Sequence, residues 1–189
     1  GAETSKFEIT LDYYDEENND FGNLIVFNEE TLSEGKGFKI HPTHDMEIIT
    51  YIVEGELKHL DDTSDAKTIV KSGEFQILHA GDGIKHSEKN ASNKNVLTYL
   101  QFWFSPKTYS HKGDYSKVSF SHELTFNNLF KVFGENDGVE QIRQDVNFYM
   151  SILDENKTLE YSPEEGRKTF IFLLDGCLDI NNNVLNSRD

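Results

Sequence analysis

Two short polar clusters carry residue types that can hold a metal. The first is His41-Pro42-Thr43-His44 with Glu47 behind it, and the second is Gly83-Ile84-Lys85-His86-Ser87-Glu88. Neutral imidazoles and a carboxylate bind divalent first-row metals and leave positions open for substrate and dioxygen. Spacing decides which of them can act together. Side chains alternate across a strand, so residues two apart share a face. His86 and Glu88 meet that condition if their strand is regular. His41 and His44 do not, and in a regular strand they face opposite ways. His41, His86 and Glu88 make a two-histidine, one-carboxylate set of the kind that serves non-haem iron oxygenases. A bulge at Pro42-Thr43 would rotate His44 inward; without one, His44 faces solvent or substrate.

Both clusters sit at the ends of runs that read as strands. Apolar and aromatic stretches recur at Phe21–Phe27, Met46–Val53, Thr68–Val70, Phe75–Leu78 and Val96–Phe104. Between them lie turn-like clusters: Glu34-Gly35-Lys36-Gly37, Asp61-Asp62-Thr63-Ser64-Asp65 and Asn90-Ala91-Ser92-Asn93. This rhythm predicts an all-β sandwich or barrel. Ile48–Val53 is apolar almost throughout, as expected of a strand buried on both faces. After a polar connection, a second series follows at Val146–Leu153, Thr158–Tyr161, Thr169–Leu174 and Leu178–Ile180. Asp175-Gly176-Cys177-Leu178 echoes Glu54-Gly55-Glu56-Leu57, each closing an apolar run, which suggests a duplicated β-unit. The expected division is an N-terminal domain over 1–110, a linker over 111–122 and a partial C-terminal domain over 123–189. The second series stops at Asp189, too soon to close a barrel, and reads as truncated or trimmed.

Composition narrows the function. With 18 Lys and Arg against 34 Asp and Glu, the net charge is −16. Binding to phosphate backbones rests on Lys and Arg, so direct nucleic-acid binding is not expected, nor is attachment to an anionic membrane. The single cysteine, Cys177, rules out an intrachain disulfide and sits in an apolar run that predicts a buried structural thiol. No stretch approaches the ~18 apolar residues of a membrane span. A cytoplasmic, soluble protein is expected.

The motifs resemble a known family. Gly35 followed by His41, Glu47 and Gly55 is similar to the first cupin motif, and Gly73, Gly81, His86 and Asn90 to the second. The likeness to pirin and the bacterial pirin-like quercetinases is more specific. It runs through Gly37-Phe38, His41-Pro42, Asp45-Met46-Glu47-Ile48-Ile49-Thr50-Tyr51 and Glu54-Gly55, then Gly73-Glu74-Phe75-Gln76-Ile77, Ala80-Gly81, Gly83-Ile84 and His86-Ser87-Glu88. Gln101-Phe102-Trp103 resembles the family's Gln-x-Trp. The likeness is strong over Tyr13–Pro106 and looser beyond. It implies a bicupin, two β-barrel or jelly-roll cupin domains face to face with the second incomplete in this chain, and one divalent metal (Fe, Ni, Mn, Cu or Zn) in the first. Carried over, the family's His-x-His, His and Glu ligands fall on His41, Thr43, His86 and Glu88. Thr43 is the departure: a ligand histidine is absent, which implies weaker metal binding.

The same resemblance orders the remaining candidates. His41, His86 and Glu88 are the expected metal ligands, with His44, Thr43 and Glu47 as secondary ones. Glu88 doubles as the catalytic proton acceptor, and Glu47 is read as orienting a histidine ring. Gln101, Phe38 and Tyr51 are read as lining a substrate pocket, although core packing explains Phe38 and Tyr51 as well. His79 is read as a surface residue at a strand end, and His59, His111 and His122 as ordinary surface histidines. The implied activity is a metal-dependent, quercetinase-type dioxygenase acting on a flavonol-like, enediol or phenolic small molecule. The alternative is a non-catalytic metal-binding or partner-binding regulatory cupin with a degenerate site. Either would act as a monomer or homodimer, the second with a protein partner.

Overall fold

The computed structural model describes residues 6–14, 24–105, 112–134, 140–141 and 145–189, with 6–8, 12–14 and 140–141 described by backbone alone. Among these residues the chain is all β apart from a short 3-10 turn at His122–Thr125, as the turn rhythm predicts. No described helix is long and apolar enough to cross a membrane.

The first compact unit spans Asn23–Ser119. Its strands are β2 (Leu24–Leu32), β3 (Gly37–Thr43), β4 (Glu47–Glu54), β5 (Glu56–Asp61), β6 (Ser64–Lys71), β7 (Phe75–His79), β8 (Ile84–Asn90), β9 (Leu97–Phe104) and β10 (Asp114–Val118). They form two antiparallel sheets, β10-β7-β4-β9-β2 and β3-β8-β5-β6. β7 is buried throughout, and β4 and β9 nearly so, which is why their sequences are apolar without strict alternation. One face of β4 carries Ile48, Thr50 and Ile52. Ile48 joins Leu78, Ala80 and Ile84 in one apolar cluster, and Ile52 joins Leu57, Val70, Leu97 and Tyr99 in another. Both clusters draw on both sheets. Thr50 lies between them and marks a polar belt inside the sandwich.

The chain passes from β4 to β5 at Gly55, whose φ of +88° favours glycine. A Cβ there would also lie 2.4 Å from the Val96 carbonyl oxygen. Gly176 has φ +102° and joins β14 (Arg167–Asp175) to β15 (Cys177–Ile180), so the sequence echo between the two Gly turns is a structural one.

The second unit comprises β1 (Lys6–Tyr14) and the chain from Phe120 onward. Its sheet runs β12-β11-β13-β1-β14, with β11 (Phe130–Gly134), β12 (Glu140–Gln141) and β13 (Val146–Leu153); β15 pairs with β16 (Asn183–Asn186) in a hairpin. This pairing cuts the chain differently from the expected 1–110 and 123–189 division. β1 lies between β13 and β14, and Asp114–Val118 pairs with β7 of the first unit. Strand partners far apart in sequence leave no local signal.

Two smaller expectations are corrected. Thr158–Tyr161 forms no regular strand. Cys177 is exposed, because β15 turns Leu178 inward and its neighbours out. Phe21–Gly22–Asn23, at the start of the first predicted run, lie outside the described residues.

Candidate metal centre

Three adjacent strands build the site. β8 alternates, with Lys85 and Lys89 outward and Ile84, His86, Glu88 and Asn90 inward. His86 and Glu88 therefore share the inner face, as their spacing predicts. On one side β5 pairs His59 with Glu88 and Asp61 with His86. On the other, β3 pairs His41 with His86, after a register irregularity between Phe38 and His41. Cross-strand partners bring side chains within reach of one another. His59, His86 and Glu88 are 1%, 3% and 1% exposed. Each offers a ligand atom, and the three atoms lie within 4.8 Å of one another.

The two buried rings are each anchored through one nitrogen. His59 Nε2 lies 2.6 Å from Asp61 Oδ2, and the ring stacks on Tyr115 with centroids 3.7 Å apart. His86 Nε2 lies 3.0 Å from Thr43 Oγ1. The other nitrogen of each, Nδ1, is buried with no hydrogen-bond partner, and His86 Nδ1 is 3.7 Å from Glu88 Oε1. Buried polar atoms without partners are costly, and two of them beside a carboxylate are what a divalent cation would satisfy. Among the described residues, His59, His86 and Glu88 fit a metal.

The facing sheet holds Glu88 in place. β7, β4 and β9 bring Gln76, Thr50 and Gln101 level with one another. Gln76 Nε2 donates to Glu88 Oε1 at 3.0 Å and Gln101 Nε2 to Oε2 at 3.4 Å. Behind them Tyr115 donates to Gln76 Oε1 at 2.7 Å, and Trp103 Nε1 to Gln101 Oε1 at 3.2 Å. An indole N–H can only donate, so the Gln101 oxygen must face Trp103 and its NH2 must face Glu88.

Burial sets the protonation of these groups. Desolvation holds the His86 ring down at about 4, with His41 and His59 adding to the effect. Desolvation also lowers His59, against an opposing pull from Asp61. Both imidazoles are neutral at pH 7, the form that ligates metals. Desolvation pushes Glu88 up to about 7, while the Gln76 and Gln101 hydrogen bonds work the other way.

The structure brings together some of the expected residues and separates others. His41 packs on His86, ring centroids 4.6 Å apart, but is half-exposed and outside the three-residue cluster. Phe38 packs edge-on against both His41 and His86. Gln101 lies in the belt. Tyr51 does not: it follows Thr50 on β4, so it turns to the opposite face and packs on Phe75. His44 is exposed beside Asp45, and no bulge turns it inward. Glu47 is buried against a histidine, but that ring is His79, 3.1 Å away across the β4–β7 pair. His79 is itself buried, at 8% exposure, since it pairs between β4 and β10. His122 stacks on Phe120, and His111 lies outside the described residues. His59, read from the sequence as an ordinary surface histidine, is instead buried beside His86 and Glu88. Its signal was present: Leu57-x-His59-x-Asp61 puts His59 and Asp61 on the face of a buried leucine.

Comparison with known proteins gives the family. The pirin family model matches residues 2–104, and the model described as quercetinase C-terminal cupin domain matches 134–189. The chain belongs to the pirin family. This pirin-like cupin is 33% identical over 169 residues to a quercetin 2,3-dioxygenase of Escherichia coli K12, covering 89% of this chain and 72% of that one. Two crystal structures of E. coli YhhW also match. One shares 36% identity with TM-score 0.63 over 68% of this chain and 54% of the other. The second, described as bacterial pirin YhhW in complex with nickel(II), shares 32% identity with TM-score 0.60 over 74% and 63%. The aligned region thus spans less than two thirds of either solved chain.

Proposed function

We propose that this pirin-family cupin is a metal-dependent dioxygenase acting on a flavonol-like or other enediol or phenolic small molecule. One observation carries the reading: buried, neutral imidazoles with partnerless nitrogens converge on a carboxylate held from behind by two amides. The E. coli relatives named quercetin 2,3-dioxygenase and the nickel complex of YhhW support it. His86 and Glu88, with a second imidazole, would hold the ion, and these donors suit Fe, Ni, Mn, Cu or Zn. When bound, such an ion would supply Lewis acidity for a deprotonated substrate oxygen and a partner for dioxygen. Oxidative ring opening of an enediol places both atoms of O2 in the products and draws all four electrons from the substrate, so this step needs no external reductant.

This chain's own residues supply the rest. Glu88, held up at about 7, can take the proton of a substrate hydroxyl near neutral pH. Gln76 and Gln101 fix its two oxygens, so proton transfer needs no rearrangement of the carboxylate. Phe38, half-buried against His41 and His86, offers an aromatic face at the site. The N-terminal cupin would then be the catalytic unit. A cytoplasmic setting belongs to the same proposal, in line with the single cysteine and the acidic surface.

Thr43, in place of the ligand histidine that the family resemblance implies, favours a second reading as a non-catalytic regulatory cupin. Oxygen uptake separates the two. Protein loaded in turn with Ni(II), Fe(II), Mn(II) and Cu(II) should consume O2 with quercetin or another flavonol. Silence from fully metallated protein across a flavonol and catechol panel would overturn the dioxygenase reading.

A further inference from the structure

We infer that His59, through Nδ1, is a metal ligand in this chain, an imidazole from β5 where the family resemblance implies one at position 43. The inference rests on the proposed metal site and names a ligand that the family motif does not assign.

Three observations carry it. First, His59 is nearer to being a ligand than His41 is. It is 1% exposed and shares the 4.8 Å cluster with His86 and Glu88, whereas His41 stands outside and half-exposed. Second, its tautomer is set. Asp61 accepts from His59 Nε2–H, which leaves Nδ1 as a lone pair without a hydrogen-bond partner. A carboxylate behind the ring is the usual means of orienting a metal-bound histidine and raising its basicity. Asp61 is itself held by Thr63, through both the backbone N–H and the hydroxyl. Stacking on Tyr115 fixes the ring plane.

Third, the change at position 43 and the use of His59 are one arrangement. In the Nε2–H tautomer Thr43 Oγ1 accepts from His86 Nε2, and the lone pair of His86 is then on Nδ1, which has no hydrogen-bond partner. Both rings then have Nε2 engaged by an oxygen and Nδ1 left over. The site moves toward β5, the strand that carries His59, and away from β3, the strand that carries His41. Thr43 and Asp61 are positioning residues in this scheme, and His41 packs on the outer side of His86.

Ni(II) titration of the full chain tests it by calorimetry or by competition with a chromophoric chelator. The variant His59→Asn should weaken Ni(II) binding about tenfold or more, since even residues that only orient a ligand are worth that much. His41→Asn should change it by less than about threefold on the same scale. A loss in His41→Asn equal to or greater than that in His59→Asn overturns the assignment. Thermal unfolding of each metal-free variant identifies a fold defect, and a measurement on unaltered protein needs no variant at all. The imidazole 15N shifts of the metal-free chain should report Nε2–H tautomers for both His59 and His86, and Ni(II) should broaden both rings. A protonated Nδ1 on His59, or a His59 signal untouched by Ni(II), overturns the inference. Wild-type protein that binds no Ni(II) would instead overturn the proposed function beneath it.

Discussion

Glu88 shows how a buried carboxylate is kept ready for ionisation. Its two oxygens accept from two amide NH2 groups, and Tyr115 and Trp103 prevent either amide from turning over. Burial nevertheless dominates and raises Glu88 to about 7. The consequence for stability has a definite sign. In the unfolded chain Glu88 titrates near 4.5, so between pH 4.5 and about 7 the folded state binds more protons. Stability from this group is therefore complete below 4.5 and is lost as pH rises through about 7. In metal-free protein, Glu88→Gln should gain on wild type by roughly 3 kcal/mol across that window. Urea midpoints at pH 4.5 and 7.5 check it, and a difference that does not change with pH would refute it. His86 works in the opposite sense. Its pKa is lowered, so its contribution is present above 6.5 and lost as pH falls through about 4. The two slopes oppose each other between 4.5 and 6.5, which is why the single-variant difference, and not the wild-type curve, isolates Glu88.

At the scale of strands, the site depends on how closely β3 lies against β8. A Cβ on Gly37 would fall 2.2 Å from the Glu88 carbonyl oxygen and 2.6 Å from Lys89 Cα, both backbone atoms. Gly37→Ala must therefore push the start of β3 outward. A cost of about 1–3 kcal/mol is expected, together with a weakened Thr43–His86 hydrogen bond. Denaturant unfolding and the His86 15N shifts measure these two effects. A Gly37→Ala protein with unchanged stability would mean that β3 is free to move. Alternation explains the rest of the element-scale picture. His86 and Glu88 could be paired from their spacing alone, and His59 with Asp61 could have been, because Leu57 marks the inner face of β5. Tyr51 shows the limit of alternation: one step from Thr50 on a strand buried on both faces, its apolar surroundings leave pocket and core open, and the structure packs it on Phe75.

For the molecule as a whole, the interleaving of the two units has a testable outcome. β1 lies in the middle of the second sheet, with β13 on one side and β14 on the other. A chain lacking residues 1–14 should expose both of those edges and lose amide-exchange protection over Val146–Leu153 and Arg167–Asp175. Protection over Glu47–Glu54 and Leu97–Phe104 should persist, and uniform loss across both sets would show that the units fold only together. The charge of −16 acts at the same scale. It raises the local concentration of divalent cations and disfavours polyanions, and both effects weaken as salt screens them.

Resemblance of the short motifs pointed to the pirin family, while turn spacing and alternation determined by themselves an all-β fold with His86 and Glu88 on one face of a strand. Those properties are local: alternation along one strand, and a glycine where a turn requires it. Only the tertiary structure decided what lies beside them. His59 comes from β5 and the Gln76–Thr50–Gln101 belt from the facing sheet, and β1 crosses to the second unit. Each of these follows from strand register between segments far apart in the chain, and register is fixed by packing of the whole sandwich, not by neighbours in sequence.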